Sequence, residues 1–481
     1  MSTRPFRTSL ACSTLALILS GCTVGPDYAA PDTQVQDAWV EQAETGTIDP
    51  AWWQNFGDPE LTALIEQALA GSPTLAEARA RLTEARANRD AVLGQRLPQL
   101  SASGAATENR LSENGQLPVS SIPGFSPEYS LFDLGFDASW EIDLWGRRTR
   151  EAQAANAQAG AAEAQYQGAL VQLTAEIARS YMDLRAAQQS SALAREAADT
   201  ADELSALTTQ LYDAGEANRQ QADTASAEAG SARDAAAQAA TAEAAASYRL
   251  AALTGRKPED IPPALRQSAP LPDAPESILV GLRSDLLRRR PDVRAAERHL
   301  AAATAQVGVA TADLFPRFSL MGGLGTQARD AGDLFDPAST RFSIGPAFSW
   351  PIFAGGSIRA KIRAADAASD AAAAAYEQAV VEALNDSEAA INRFMQAKGR
   401  ADAATKAAAD QERAFALSMQ RFDAGEDNRL SLDQARLELL SRTRAAVAAK
   451  AEAAQAAVAL YKALGGTPDA PVQEAEAPAP N

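Results

Sequence analysis

Two segments that lie 210 residues apart are nearly identical, and this duplication constrains the fold more than any other feature of the chain. Residues 211–219 read Leu-Tyr-Asp-Ala-Gly-Glu-Ala-Asn-Arg, and residues 421–429 read Arg-Phe-Asp-Ala-Gly-Glu-Asp-Asn-Arg. A second related pair, residues 97–101 and 315–319, lies 218 apart. Because the order of features repeats, the 481 residues are predicted to form one architecture that is built twice.

The composition excludes several classes of function. Asp and Glu (62) outnumber Lys and Arg (44), and the net charge of −18 argues against a nucleic-acid partner. One His and two Cys leave little for metal or nucleophilic chemistry, and His299 is expected on a helix surface. The sequence carries no phosphate-binding loop and no nucleophile elbow. We therefore expect neither an enzyme nor a cofactor-binding protein.

The N-terminus carries a targeting signal. Arg4 and Arg7 precede a short apolar run at 15–19, which cannot span a bilayer. The following Leu-Ser-Gly-Cys22 resembles the lipobox of bacterial lipoproteins. This resemblance implies that residues 1–21 are a signal peptide and that Cys22 carries an S-diacylglycerol and an N-acyl chain. Thr23, rather than Asp, after the Cys favours the outer membrane; a plain secretory signal is the alternative.

The order of patterns predicts the division of the mature chain. Residues 22–57 form a lipidated N-terminal segment, 58–254 a first repeat, 255–280 a proline-rich linker, 281–464 a second repeat and 465–481 a disordered tail. Each repeat is predicted to contain a helix, a strand pair and a long helix hairpin. Asp58 followed by Pro59 is a typical helix start.

Residues 131–145 and 342–352 alternate between apolar and polar side chains, which predicts strands with one apolar and one polar face. Residues 100–107 and 318–326 show the same pattern more weakly, so we expect four strands per chain. Each is about ten residues long, the length that a tilted transmembrane strand needs. A soluble sandwich with a solvated polar face is the alternative.

Residues 147–212 and 357–422 contain no proline and carry apolar residues at helical spacing. Helices of this length would extend ~100 Å, which coiled coils and conduits use but single globular domains do not. Gly215 and Gly425 stand where these helices are expected to end.

Four strands alone would leave unpaired backbone groups in the membrane, so several chains must close the sheet. Three copies of four strands would give 12 strands. The polar faces, with Asp133, Asp137, Glu141 and Asp143, would then line an aqueous interior. The aromatic residues Trp140, Trp145 and Trp350 argue against the soluble sandwich.

Several motifs together resemble the TolC-like outer-membrane efflux lipoproteins, with the strongest resemblance to the OprM/NodT branch. They are Cys-Thr-Val-Gly-Pro-Asp-Tyr at 22–28, Trp-Trp at 52–53, Phe-Gly-Asp-Pro at 56–59, Arg-Arg-Pro-Asp at 289–292, Leu-Phe-Pro-Arg at 314–317 and Trp-Pro-Ile-Phe at 350–353. The resemblance implies a mixed α/β membrane protein: an internally duplicated chain with a long α-helical coiled-coil barrel and four transmembrane β-strands, forming a 12-stranded β-barrel as a homotrimer.

The same resemblance implies an outer-membrane lipoprotein that extends into the periplasm and is the passive, gated duct of a tripartite efflux pump for drugs or other small molecules. Its partners would be a periplasmic adaptor protein and an inner-membrane pump of the resistance-nodulation-division class. An outer-membrane duct for type I protein secretion shares the fold and is the alternative. A periplasmic coiled-coil lipoprotein would explain the helices but not the strands.

The resemblance also implies a gate beyond the second turn. Leu430 matches the apolar ring of the family, whereas the usual acid falls at Gln434, one residue after Asp433. Asp427 and Asp433 are therefore the candidates for the charged side chains that narrow the channel at its tip. Asp423 and Arg429 are the candidates for contacts that hold the tip shut.

The two turns themselves are the expected docking surface for the adaptor, because they occupy the exposed ends of the longest helices. The residues concerned are Gly215 and Glu216 in the first turn and Gly425 and Glu426 in the second. The first copy has Gln220 where the second has Leu430, so gating is assigned to the second copy alone.

Overall fold

The structure is a computed structural model that describes residues 23–466 apart from 34, 37, 42–43 and 113–125. The predicted signal peptide and Cys22 lie outside the described residues. So do residues 467–481, which make up all of the predicted disordered tail except Gly465 and Gly466.

The helices repeat in length and spacing. In chain order they are α1 (Pro59–Gly71), α2 (Pro73–Gly94), α3 (Arg147–Asp213), α4 (Arg219–Leu253), α5 (Pro263–Arg266), α6 (Arg283–Arg289), α7 (Pro291–Ala312), α8 (Ser357–Asp423) and α9 (Arg429–Ala463). Both α3 and α8 have 67 residues, and both α4 and α9 have 35. The predicted long helix hairpins are therefore present in both halves of the sequence.

Local sequence signals account for the helix boundaries. The Asp58 carboxylate accepts hydrogen bonds from the amides of Glu60 and Leu61, and Pro59 occupies the first turn of α1, where a missing N–H costs nothing.

The apolar stripe predicted along α3 is buried in the structure, as is its counterpart on α8. Its members are Tyr166, Leu170, Leu173, Ile177, Tyr181 and Leu184, followed by Tyr376, Val380, Ala383, Ser387, Ile391 and Phe394.

The strands form one antiparallel sheet in the order β1-β2-β3-β4. Their bounds are β1 (Gln99–Arg110), β2 (Glu128–Ile142), β3 (Arg317–Ala328) and β4 (Thr340–Ser349). Directly opposed residues share a face, so the register shows which side chains lie on the same face of the sheet. Phe136 is opposite Leu324, and Phe318 is opposite Phe348. One face is therefore mainly apolar wherever β2 pairs with β3, as the alternation predicts, and the polar pairs Glu108–Ser130 and Arg110–Glu128 on this face lie beyond that stretch.

Two strands end before the alternating pattern does. β2 ends at Ile142 and β4 ends at Ser349, although the alternation continues to residues 145 and 352. Trp145 lies in the turn before α3, and Pro351 lacks the N–H that a paired strand would need. Before α1, the chain forms a short 3-10 helix at Trp52–Phe56.

The chain divides into two compact units, each drawn from separate parts of the sequence. The first comprises the described residues of Met1–Pro31, Thr83–Ala162 and Ala296–Tyr376 and includes the sheet. In it, the rings of Trp145 and Phe315 stack with centroids 4.7 Å apart.

The second unit comprises the described residues of Asp32–Leu82, Glu163–Ala295 and Glu377–Asn481. In its core, Trp52 stacks on Tyr461 at 5.0 Å, and the Tyr181 hydroxyl donates to the Asp58 carboxylate at 2.7 Å. Burial and this hydrogen bond raise the pKa of Tyr181. The helix cap at Asp58 is thereby tied to the middle of α3.

Candidate gate at the helix tips

The two turns predicted from the repeat have the same backbone geometry. Gly215 (φ 79°) and Gly425 (φ 74°) both adopt the left-handed conformation. In each turn, the amide of the following residue donates to a carbonyl five residues back, Leu211 in one case and Arg421 in the other. This bonding satisfies carbonyls that the helix end leaves free, which explains why glycine is needed at this position.

The two turns differ in how they start the next helix. Asn218 and Gln221 form a reciprocal capping box at the start of α4. Asn428 caps α9 by accepting from the Ser431 amide, but here the Asp427 carboxylate accepts from the Asn428 amide at 2.9 Å. Asp427 therefore does in the second turn what Gln221 does in the first.

Arg429 links α9 to α3. Its Nε donates to the Asp433 carboxylate at 2.9 Å, and its Nη2 donates to the Glu203 carboxylate at 2.6 Å. The hydrogen bond and charge of Asp433, followed by those of Glu203, raise the pKa of Arg429. The guanidinium remains charged at any physiological pH, so this contact does not depend on the protonation state of Arg429.

A second pair extends the same contact by two helical turns. Arg436 Nη2 donates to Glu196 at 2.9 Å. Arg429 and Arg436 are seven residues apart on α9, and Glu203 and Glu196 are seven apart on α3. Opposite charges therefore form a ladder between two antiparallel helices, as in the flanking positions of coiled coils. We refer to these four residues as the tip ladder.

Sequence reasoning identified Arg429 but missed Glu203, Arg436 and Glu196. The signal was the matching seven-residue spacing of acids and arginines on the two helices. This spacing becomes informative only when α3 and α9 are known to be neighbours, and only the tertiary structure shows that they are.

The remaining candidates for the gate lie in different environments. Asp433 is only 2 % exposed and is engaged by Arg429, whereas Gln434 is exposed. Leu430 is half-buried, and Asp423 is exposed at the last residue of α8. The structure thus places Asp433 beneath the surface, as the buried partner of the arginine that joins the helices.

The four residues predicted for docking are all exposed. Glu216 and Glu426 directly follow the two turn glycines. A Cβ atom added to Gly215 or Gly425 would meet no other atom within 4 Å. Both turns therefore present open surface.

The polar face of the sheet carries an ion pair that crosses a strand. Arg341 of β4 donates from Nη2 to the Asp133 carboxylate of β2 at 2.6 Å. Between them lies Gly325 of β3, directly opposite Arg341. Because glycine has no side chain, the guanidinium reaches across it, and Gln327 completes the coordination of Asp133 at 2.8 Å. The face opposite the apolar one therefore carries small and polar residues together with this ion pair.

Among the described residues, no helix has the length and hydropathy to cross a membrane. In the same part of the chain, no group of three or more His, Cys, Asp or Glu side chains is placed to hold a metal ion.

The chain combines a sheet that has one lipid-compatible face with long paired helices and the tip ladder. These features define a channel of the TolC-like class. The family described as outer membrane efflux protein matches residues 64–256 and 282–466. The chain belongs to this family. The two matched segments correspond to the two halves of the duplicated sequence.

Known proteins with similar sequences and structures support the same class. The pyoverdine export outer membrane protein OpmQ of Pseudomonas aeruginosa is 31% identical over 417 residues, which cover 86% of this chain and 87% of OpmQ. The solvent efflux pump outer membrane protein SrpC of Pseudomonas putida is 30% identical, and the match covers 94% of this chain and 96% of SrpC.

The solved structure of the outer-membrane channel OprN has a TM-score of 0.81 and 37% identity, and the match covers 92% of this chain and 99% of OprN. The resemblance to the TolC-like efflux proteins is therefore confirmed. The chain is an outer-membrane channel protein and the outer-membrane component of an efflux pump.

Proposed function

We propose that the chain works as a homotrimeric, passive duct whose periplasmic tip is held closed by the tip ladder until the pump assembles. The energy for transport comes from an inner-membrane pump of the resistance-nodulation-division class, and a periplasmic adaptor connects the two. The observation that carries the proposal is the contact of Arg429 with both Asp433 and Glu203.

The open edges of the sheet support the trimer. In the order β1-β2-β3-β4, strands β1 and β4 have no second neighbour within the described chain. Alternating strand directions make β4 of one copy antiparallel to β1 of the next. Three copies would close a 12-stranded barrel and satisfy the edge groups that a lipid environment cannot.

The ladder supports gating because it ties together helices that must separate for the tip to widen. Exposed ion pairs contribute only about 0–1 kcal/mol each, so a ladder of two pairs is strong enough to favour closure and weak enough to yield to a partner. Asp433 adds to it as a buried positioning group that fixes the Arg429 guanidinium. Leu430 would supply the apolar constriction beside it, and Asp427 and Asp423 would set the charge at the mouth.

The test is single-channel conductance in planar bilayers. Arg429→Ala and Glu203→Gln should each raise conductance several-fold, because each removes the link between α9 and α3. Arg442→Ala is the matched control, since Arg442 lies on α9 but pairs with Glu438 of the same helix. Equal conductance of Arg429→Ala and the Arg442→Ala control would refute the gate.

The exposed turns support docking of the adaptor at the tips. Charge reversal by Glu216→Arg or Glu426→Arg should lower the yield of cross-links to the adaptor while leaving the assembled channel intact. Undiminished cross-linking in both variants would move the docking surface elsewhere.

The lipobox supports acylation of Cys22 with an S-diacylglycerol and an N-acyl chain, the only covalent lipid we propose. Mass spectrometry of the N-terminal peptide would measure it. The names of the relatives include pyoverdine and solvents, which favours small molecules as cargo and a duct that leaves their selection to the pump.

A further inference from the structure

The segment that follows Cys22 is held by a buried arginine of α3. The Arg150 side chain is 2 % exposed. Its Nε donates to the Val24 carbonyl at 3.2 Å, and its Nη2 donates to the Gly25 carbonyl at 3.3 Å and to the Asp27 carboxylate at 2.7 Å. A buried guanidinium needs such partners, because burying it unpaired is strongly unfavourable. Here most of them come from residues 23–28, which we call the N-terminal segment.

Three glycines let this segment approach closely. Gly25 has φ 85°, and a Cβ there would lie 2.5 Å from the Cα of Gly308 in α7. A Cβ on Gly308 would lie 2.8 Å from Arg150 Cδ, and a Cβ on Gly146 would lie 2.6 Å from Thr23 Cγ2. Gly25 therefore packs on the backbone of Gly308, while Gly308 leaves room for the Arg150 side chain and Gly146 leaves room for Thr23. A larger residue at any of these glycines would displace its neighbour. We call Arg150, Gly146 and Gly308 the N-terminal clamp.

The far end of the segment is fixed separately. The Tyr28 hydroxyl donates to Glu297 of α7, and the Tyr28 ring packs against Ala157, Ala301 and Ala302. Tyr28 and the clamp thus hold the segment at two points along α3 and α7. These contacts account for Gly25, Asp27 and Tyr28 of the Gly-Pro-Asp-Tyr motif.

The duplication shows that the clamp is specific to the N-terminal segment. At 210 residues after Arg150 the chain has Ala360, which could make none of these contacts. Gly356, the counterpart of Gly146, has a similar φ of 82°, but a Cβ there would meet nothing within 4 Å. Of the two corresponding helix starts, only the first repeat has the arginine (Arg150) and the tightly packed glycine (Gly146), and the second repeat contributes Gly308 from α7.

The clamp also sets the height at which the segment begins. Thr23 packs on Gly146, just after β2 ends at Ile142, and the Val24 amide donates to the Trp145 carbonyl at 3.1 Å. Trp145 Nε1 in turn donates to the Pro316 carbonyl, where β3 is about to start. Consecutive Cα atoms are ~3.8 Å apart, so a lipid on the residue before Thr23 would be attached close to this end of the sheet.

We propose that the N-terminal clamp is the receptor for the acylated N-terminus and places the lipid on Cys22 at the end of the sheet where β2 stops and β3 begins. The acyl chains then enter the membrane at a fixed height beside the strands, and lipid anchoring and strand insertion become one coupled event. The proposal rests on the acylation of Cys22 proposed above.

The first test measures the hold on the segment by hydrogen–deuterium exchange of the full-length, detergent-solubilised protein. Arg150→Met and Gly146→Ala should speed exchange in the peptide that covers residues 23–31 at least tenfold. Gly356→Ala is the matched control, because it carries the same positive-φ cost without the clash, and its N-terminal exchange should stay unchanged. Unchanged exchange in both clamp variants would overturn the proposal, as would equal acceleration in the control.

The second test measures coupling to the lipid. Pulse-labelled cells that express either the parent chain or the Arg150→Met variant would be followed for the appearance of heat-resistant assembled channel. The parent and the variant are each made in two forms. The acylated form keeps the native signal peptide. The non-acylated form has a signal peptide that ordinary signal peptidase cleaves, together with Cys22→Ser. Arg150→Met should slow assembly several-fold in the acylated form. In the non-acylated form, the same substitution should change the assembly rate little. Slowing of equal size in both backgrounds would contradict a role in lipid placement.

The same samples separate the two proposals. The mass of the N-terminal peptide reports acylation independently of exchange. An unacylated native peptide refutes acylation and, with it, lipid placement, whereas an acylated peptide with unaltered exchange in the clamp variants refutes the clamp alone.

Discussion

The contacts of Arg290 account for its place in the Arg-Arg-Pro-Asp motif at 289–292. Its guanidinium donates to the carbonyls of Ala383 in α8 and Ala463 in α9, and it pairs with Asp292 at 2.6 Å. One residue thereby joins the start of α7 to α8 and to the end of α9. Burial alone would raise the pKa of Asp292, but the hydrogen bonds and charge of Arg290 outweigh it and hold that pKa below its ordinary value of 3.8.

This shift predicts a pH dependence of stability. A carboxyl group whose pKa is lowered by folding contributes stability above its unfolded pKa and loses it as the pH falls through the folded pKa. Asp292→Asn should therefore lower the Tm at pH 6–7, and the difference from the parent should shrink as the pH falls below about 4. Thermal unfolding of the solubilised protein across this range is the measurement. Asp199→Asn, at an exposed position of α3, is the control; a pH-independent difference for Asp292→Asn would argue against the ionic contribution.

At the scale of elements, the sheet has two faces with opposite requirements. From Phe132 to Ile142, the register places the apolar positions of β2 opposite even-numbered positions of β1 and β3, and the positions between them opposite odd-numbered ones. Large apolar side chains such as Phe136, Leu324 and Phe342 are exposed on one face, at 57%, 58% and 79%. Apolar exposure on this scale fits a face that meets lipid.

Two adjacent small residues test this assignment. Ala138 lies on the apolar face of β2 and Ser139 on the polar face, and both are exposed. Ala138→Arg should destabilise the membrane-inserted state by about 2–4 kcal/mol, because the charge enters lipid. Ser139→Arg should cost less than about 1 kcal/mol, since its side chain meets water. Guanidinium titration of protein folded into vesicles would measure both, and equal costs would reverse or abolish the assignment of faces.

For the whole molecule, the sheet of one chain is incomplete. Its edge strands β1 and β4 carry backbone groups that need partners, and nothing in the described chain supplies them. The family relationship establishes an outer-membrane channel, and closing the edges is the step that makes a channel from separate chains.

A cysteine panel tests closure between copies. Pairs that combine Ser101 or Ser103 on β1 with Ser343 or Ser349 on β4 lie on the polar faces of the two edges. Oxidation should link chains into dimers and trimers, and no larger species, when the pair is in register. Single variants should stay monomeric on denaturing gels. A ladder beyond three chains, or a native mass that is not three times the monomer, would refute the trimer.

Local patterns in the sequence predicted most of the elements. The 210-residue repeat, the proline-free stretches and the alternating segments predicted the paired long helices and the four strands, and Asp58-Pro59 predicted the start of α1. These predictions succeed because helix and strand periodicity, capping and turn chemistry act over a few residues. The ends of β2 and β4 were misplaced by about three residues, since pairing decides where a strand stops.

What the sequence alone determined was therefore most of the elements, the two-faced sheet and the family. Only the tertiary structure decided which helices are neighbours, and with them the distant partners of Arg429, Arg290 and Arg150. These arginines meet groups that are 226, 93 and 123 residues away along the chain, so no local pattern could link them. Long-range charge pairing depends on how packed helices align, and packing is set by the whole chain at once.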